Sequence, residues 1–281
     1  KTTGLNLFGE SYTTTSDTYY KYTTKIGTQA DGIFKGRTIY AVIDNSLTKN
    51  PRTGKLTLKT YTVSATAGLD IWGAKYTTTS TTTYAMEHNR PLQDKVAAYT
   101  IGKNLFGERY TTTSATTYGY KDGLTGRKVL GEIKSASTSS TTNGSDVWGA
   151  KYTTISATEY LIEHNRPLQT NVNAATTGYN LFGESYTTVS TTIYTYKTTT
   201  HPDFAEKMYV EPILMTLYGA IASAKTMSLT EGKDIWGAEY TTTSTTYYTK
   251  IEHNRPLQTQ VHAKTTGLNL FGESYTTTSD T

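Results

Sequence analysis

Three groups in this sequence have the residue types and spacing to do chemistry: Glu87-His88-Asn89-Arg90, Glu163-His164-Asn165-Arg166 and Glu252-His253-Asn254-Arg255. Each sets a carboxylate beside an imidazole, a pairing used in metal sites and in acid–base work. Glu87, His88, Glu163, His164, Glu252 and His253 are therefore the candidate metal residues. The competing reading is a strand-end corner in which Arg forks onto the carboxylate or a backbone carbonyl. Neighbouring residues of a strand point to opposite faces, so the Glu and His of one copy are poorly placed to share an ion. The structural corner is the expectation. No nucleophile with its base, no paired acids and no twelve-residue calcium loop stands out. The chain is read as having no catalytic residue, no cofactor and no enzyme activity.

Each group closes a longer repeated stretch that must position it. Trp72-Gly73-Ala74-Lys75-Tyr76-Thr77-Thr78 runs on to Gln93, and the stretch returns from Trp148 to Gln169 and from Trp236 to Gln258. Shorter relatives start at Phe8, Phe106, Phe182 and Phe271. Internal repetition of this kind has to be read before anything else. The Trp-to-Phe intervals are 34, 34 and 35 residues, whereas the Phe-to-Trp intervals are 64, 42 and 54. One connection is held and the other tolerates insertion. The extra residue in the third copy lies near Tyr247-Tyr248, where a β-bulge is expected.

Residues 1–18 and 264–281 carry the same eighteen letters, KTTGLNLFGESYTTTSDT. This identity implies a 263-residue superrepeat of three subrepeats, 98, 76 and 89 residues long, continuing in tandem beyond both ends. The alternative is a chain whose two ends are recent duplicates. The corresponding division is 1–18 as the end of a preceding repeat, then subrepeats 19–116, 117–192 and 193–281.

Composition points to strands. Threonine supplies 62 residues and tyrosine 24, against 6 phenylalanines, a β-branched and aromatic mixture that favours pleated sheet. Residues at Trp72, Ala74, Tyr76, Thr78 and Ser80 share one parity, and the second copy keeps it from Trp148 through Tyr152. The bulky face is expected to be buried. The repeat-core aromatics are read as Phe8, Trp72, Tyr76, Phe106, Trp148, Tyr152, Phe182, Trp236, Tyr240 and Phe271. Asn89-Arg90-Pro91 is expected to break the strand, with Val96, Val172 and Val261 in a short strand leading to turns at Gly102, Gly178 and Gly267.

Between the repeats, Leu5 to Tyr22 reads as one strand or two with a bend. Arg37–Asp44 and Leu56–Val63 read as a hairpin with a long tip. Ser135–Ser145 reads as a Ser/Thr/Gly loop, and Asn143-Gly144-Ser145 as a lone glycosylation sequon. Glu206–Ala224 is helix-compatible but interrupted by Pro212 and is assigned to strands.

The chain has no cysteine and a net charge of +4 with acids interspersed. No basic tract argues for nucleic acid, and no stretch of 18 apolar residues argues for a membrane span. Lys–Asn isopeptide crosslinks could stand in for disulfides. The expected fold is all-β, a tandem array of antiparallel modules or a continuous sandwich or solenoid-like fibre. Threonine-rich, cysteine-free, strand-forming modules of about 90 residues resemble the repeat regions of large bacterial surface proteins, such as adhesin stalks, fibre subunits and biofilm matrix proteins. The resemblance implies an extracellular protein that extends, adheres or assembles, with other copies as partners in a filament. Surface glycans are the alternative partner, bound through the variable inserts.

Overall fold

The structure is a computed structural model, and it describes residues 1–5, 11–26, 36–44, 46–49, 56–58, 60–69, 74–87, 90–104, 106–122, 128–200, 214–252, 254–269 and 271–281. Among these residues every regular element is a strand. In chain order they are β1 (Thr2–Leu5), β2 (Ser11–Tyr19), β3 (Tyr22–Ile26), β4 (Thr38–Ile43), β5 (Leu47–Lys49), β6 (Leu56–Leu58) and β7 (Tyr61–Leu69). There follow β8 (Lys75–Glu87), β9 (Arg90–Lys103), β10 (Arg109–Asp122), β11 (Lys128–Ser145), β12 (Lys151–Glu163) and β13 (Arg166–Tyr179). The last are β14 (Ser185–Thr200), β15 (Leu214–Lys233), β16 (Glu239–Tyr248), β17 (Lys250–Glu252), β18 (Arg255–Leu257), β19 (Gln260–Leu268) and β20 (Ser274–Asp280).

Fourteen of them form one open sheet in the order β1-β2-β7-β8-β9-β10-β11-β12-β13-β14-β15-β16-β19-β20, while β3–β4, β5–β6 and β17–β18 pair apart from it. The expected all-β repeat array is what the chain forms. One Phe-to-Phe interval corresponds to four sheet strands, for example β14, β15, β16 and β19 in the third. The chain divides into two compact units, residues 1–105 with 111–134, and residues 106–110 with 135–281.

In each unit the contacts run almost wholly between hydrogen-bonded neighbours. Only Ala136 and Ala224 are buried apolar residues among those described. The expectation of a buried bulky face is therefore corrected: the face carrying Tyr76, Thr78 and Ser80 is half-shielded by its lateral neighbours. Short hydroxyl side chains at strand spacing supply that shielding, because cross-strand pairs of β-branched and aromatic residues are what stabilise a sheet surface. In the second unit Thr154–Thr176, Thr188–Thr230 and Thr242–Thr265 join their hydroxyls at 2.8, 2.8 and 2.9 Å. The serine row bonds other junctions, Ser140–Ser156 and Ser228–Ser244 at 2.8 Å each. In the first unit Thr14–Thr66, Thr78–Thr100 and Ser64–Ser80 repeat the scheme.

Several sequence expectations change. Ser135–Ser145 is no loop but the second half of β11, which pairs with β12 from Ser137↔Glu159 to Ser145↔Lys151. Serine and threonine read as loop formers in isolation, yet here every second hydroxyl has a cross-strand neighbour. The first insert is no single hairpin: β4 pairs with β3, β5 with β6, and β7 with β2 and β8. Residues 45 and 50–55 of its tip lie outside the described residues. Leu5 to Tyr22 contains one whole strand, β2, between the last residue of β1, with which β2 pairs antiparallel, and the first of β3.

The strand is broken where expected, β12 ending at Glu163 and β13 beginning at Arg166, but by the turn at His164-Asn165 and not by the proline. β13 starts at Arg166, and Pro167 pairs with Ile162 inside the hairpin. Of the stretch Glu206–Ala224, the described part forms strand, as expected: β15 runs for 20 residues from Leu214 and pairs along β14; residues 206–213, Pro212 among them, lie outside the described residues. The expected bulge resolves into two arrangements. Copies one and two skip a single residue of the return strand, between Thr83/Tyr84 and Glu159/Tyr160. The extra residue of copy three instead leaves Thr249 unpaired in the ladder and detaches β17–β18, with Thr259 donating its N–H to Tyr247 O at 2.9 Å.

Candidate interaction surface

The repeat motif builds a hairpin, and its parts can be followed residue by residue in the second unit. At Asp146-Val147-Trp148-Gly149-Ala150 the Asp146 carboxylate accepts the backbone N–H of Trp148 and of Ala150, both at 2.9 Å. Asp146 N–H closes the loop onto Ala150 O at 3.0 Å, and Gly149 holds φ of 94°. Glycine takes this left-handed conformation without the cost of a Cβ, which suits a tight hairpin connection. The same turn recurs from Asn180, Asp234 and Asn269.

This geometry corrects the placement of the aromatics. Phe106, Trp148, Phe182, Trp236 and Phe271 lie in these turns and are 79, 73, 77, 67 and 87% exposed. They are not core residues, because the glycine after each one reverses the chain before the next strand begins. All these turns join strands at the same end of the sheet, so the second unit has a rim of exposed rings. Aliphatic turn residues pack along that rim. A Cβ on Gly149 would lie 3.3 Å from Leu181 Cδ2, and one on Gly107 3.3 Å from Val147 Cγ1. Phe8 and Trp72 lie outside the described residues.

Tyr76, Tyr152 and Tyr240 do sit on the repeated face, and each faces a glycine of the neighbouring strand. Gly144↔Tyr152, Tyr152↔Gly178, Gly178↔Tyr186, Tyr186↔Gly232, Gly232↔Tyr240, Tyr240↔Gly267 and Gly267↔Tyr275 are consecutive register partners. In the first unit the row reads Gly4, Tyr12, Gly68, Tyr76, Gly102. The rings lie over the glycines: a Cβ on Gly178 would stand 2.6 Å from the Tyr186 ring. An aromatic ring covering a strand glycine restores packing that the glycine lacks. Gly102, Gly178 and Gly267 are thus strand residues and not turns, the last two lying beneath the rings of Tyr186 and Tyr275.

The sequence contained a signal for this row. Glycine falls four residues before each motif aromatic and tyrosine four after, from Gly4/Phe8/Tyr12 to Gly267/Phe271/Tyr275. Open grooves follow the row, one over Gly232 between Tyr186 and Tyr240 and another over Gly144 and Gly178. Lys233 and Glu239 pair at 3.5 Å beside the first. Both partners are more than half exposed, and such a pair contributes little.

The Glu-His-Asn-Arg groups form the opposite hairpin ends. His164 and Asn165 have φ of 47° and 61°, two consecutive left-handed residues as in a type I′ turn. Glu163↔Arg166 face each other across it, as do Glu87↔Arg90 and Glu252↔Arg255. His88 and His253 lie outside the described residues. Among the described residues no group of three His, Cys, Asp or Glu could hold a metal.

Near this end Tyr196 donates to Gln169 O at 2.7 Å, and Tyr120 likewise to Gln93 O at 2.6 Å. Burial, followed by the charges of neighbouring groups, raises both phenols above the usual tyrosine value, and Tyr152 is raised in the same way. Leu168 fills the space against Gly219 and Leu92 that against Gly131. Asn254 accepts Ile221 N–H at 2.6 Å and donates to Gly219 O at 3.3 Å.

Compared with family models, curated proteins and solved structures, the chain matches none. No helix among the described residues is long and apolar enough to cross a membrane.

Proposed function

We propose that this chain is a structural repeat segment of a very long extracellular β-protein that forms or coats a filament, assembling through repeat stacking and strand pairing. One observation carries the reading: the identical segments 1–18 and 264–281 fold into hairpins of identical register. Thr2↔Thr14 and Gly4↔Tyr12 in the first become Thr265↔Thr277 and Gly267↔Tyr275 in the last. A repeat whose end reproduces its beginning in both sequence and pairing is suited to indefinite extension. Its stability then grows by one neighbour interface per repeat.

Electron microscopy of the native material tests this reading. A regular fibre with an axial repeat and density joining successive units is expected; discrete particles would sink it.

The exposed rim favours a second reading, an adhesive module for surface glycans. Trp and Phe rings at regular spacing offer stacking platforms of low entropy cost. Binding of the chain to a polysaccharide array, weakened by Trp148→Ala together with Trp236→Ala, would support it. Retention of binding in that double variant would remove the rim from consideration.

A further inference from the structure

We infer that Tyr19 and Tyr61 are the two halves of an oxidative crosslink, a dityrosine bond that closes the neck of the first insert. This modification site goes beyond the filament reading and stands or falls apart from it.

Tyr19 ends β2, Tyr61 begins β7, and the two are direct antiparallel partners. Direct partners place their side chains on one face of the sheet. The rings lie 4.9 Å apart at their centroids and 24° from parallel, the closest ring pair among the described residues. Tyr19 is 49% exposed, so an oxidant can reach it and its ring has room to turn.

The surroundings hold the pair from both sides. Towards the sheet, Thr18 and Thr62 join their hydroxyls at 2.9 Å, and Thr62 bonds the Tyr84 hydroxyl at 2.6 Å. Towards the insert, the fully buried Thr60 donates its hydroxyl to Asp44 O at 3.0 Å and accepts the N–H of Lys21 at 3.4 Å. Asp44 N–H donates to Lys21 O at 2.6 Å. The outgoing chain at Lys21 and the returning chain at Thr60 are thus fastened together just beyond the rings. β3–β4 and β5–β6, which lie between them in sequence, pair apart from the main sheet. Tyr19 and Tyr61 therefore mark the point where the chain leaves that sheet and re-enters it.

A phenol that loses one electron and its proton becomes a phenoxyl radical whose unpaired spin reaches the ring carbons ortho to oxygen. When both rings are oxidised, two such carbons join in one C–C bond, and the two ortho hydrogens move as protons to the oxygens, restoring both phenols. Two hydrogens leave in total. Hydrogen peroxide, acting through a haem peroxidase, takes them up and is reduced to two waters. Coupling needs the two radicals in contact, and a pair already stacked meets that need without diffusion of the chain. The sequence has no cysteine and 24 tyrosines, so an oxidative crosslink falls to tyrosine. The bond would carry load from β2 straight to β7 and spare the insert between them.

The test oxidises the whole 281-residue chain with hydrogen peroxide and a haem peroxidase, dilute enough that chains rarely meet, and maps the products by proteolysis and mass spectrometry. A peptide pair joined through Tyr19 and Tyr61, two hydrogens lighter than its parts, is expected as the main intramolecular product. The same oxidation in urea should lose that preference, because the unfolded chain presents its tyrosines alike. Tyr61→Phe keeps the ring and its packing but has no phenol to oxidise. It should lose most of the dityrosine fluorescence with the circular dichroism unchanged.

Stretching single oxidised chains reads the staple independently. The 42 residues gained in passing from Tyr19 to Tyr61 would be hidden, so the unfolded contour should fall short by about 140 Å at about 3.4 Å per residue. A Tyr19–Tyr61 bond no commoner in the folded chain than in urea, fluorescence retained in Tyr61→Phe, or a full contour after oxidation overturns the proposal. Each of these results leaves the filament reading where microscopy puts it.

Discussion

At the scale of residues, the glycine under each tyrosine is the feature most sensitive to change. Alanine in a strand is ordinarily better than glycine by roughly 0.5–1 kcal/mol. At Gly178 the sign should reverse, because the added methyl would enter the Tyr186 ring. We expect Gly178→Ala to lose about 1–3 kcal/mol, the usual range for overpacking, as measured by urea unfolding. Combining it with Tyr186→Ala should remove most of the coupling, and a strictly additive pair would count against the stacked row.

The phenols make a second prediction. Tyr120, Tyr152 and Tyr196 have folded values raised above the ordinary value of 10.0, chiefly by burial. Their contribution is complete below about pH 10 and is lost as pH rises through the higher folded values. The thermal midpoint should hold from pH 8 to about 10 and then fall. Tyr196→Phe should flatten that fall while costing about 1 kcal/mol at neutral pH, since Gln169 O loses its donor.

At the scale of elements, the hairpin turn exists in two chemical versions. Asn180 and Asn269 precede Glu184 and Glu273, whereas Asp146 and Asp234 precede Ala150 and Ala238. The Asn amide donates to the Glu carboxylate while its oxygen accepts two backbone N–H groups; the Asn269–Glu273 bond is 2.7 Å. Aspartate has no proton to give, so a carboxylate four residues on would repel it. Asn180→Asp should destabilise the chain by about 1 kcal/mol, and adding Glu184→Ala should restore it. Failure of the second change to rescue the first would show that the pairing is incidental.

The same comparison explains what could be read in advance. The alternation of Tyr, Thr and Ser fixed the strands and their parity because a pleated strand has a period of two. The motif aromatics read as core because parity counts straight on from Trp148 to Tyr152, whereas the Asx-capped, left-handed Gly149 between them interrupts the pleat. Ser135–Ser145 reads as a loop in isolation because its strand character depends on a hydroxyl partner 16 residues away, Ser140 with Ser156. The Glu-His-Asn-Arg groups were legible as corners, but the left-handed pair at His164 and Asn165 was not, since histidine is no strong turn former. Replacing His164-Asn165 with Asn-Gly, the favoured type I′ pair, should stabilise by about 0.5–1 kcal/mol, as thermal unfolding would register.

At the scale of the whole molecule, the scarcity of buried apolar residues among those described means that stability comes from ladders between adjacent strands. Stability should therefore rise with the number of paired strands, as in other quasi-one-dimensional repeats. Lateral propagation of a one-layer sheet distinguishes this account from a fibre of stacked sheets. Fibre diffraction from aligned native material separates the two most directly. The account predicts a meridional reflection near 4.7–4.9 Å from strands crossing the fibre axis, without the equatorial reflection near 10 Å that sheets packed face to face produce. A strong 10 Å equatorial reflection, or no meridional strand spacing, would contradict it.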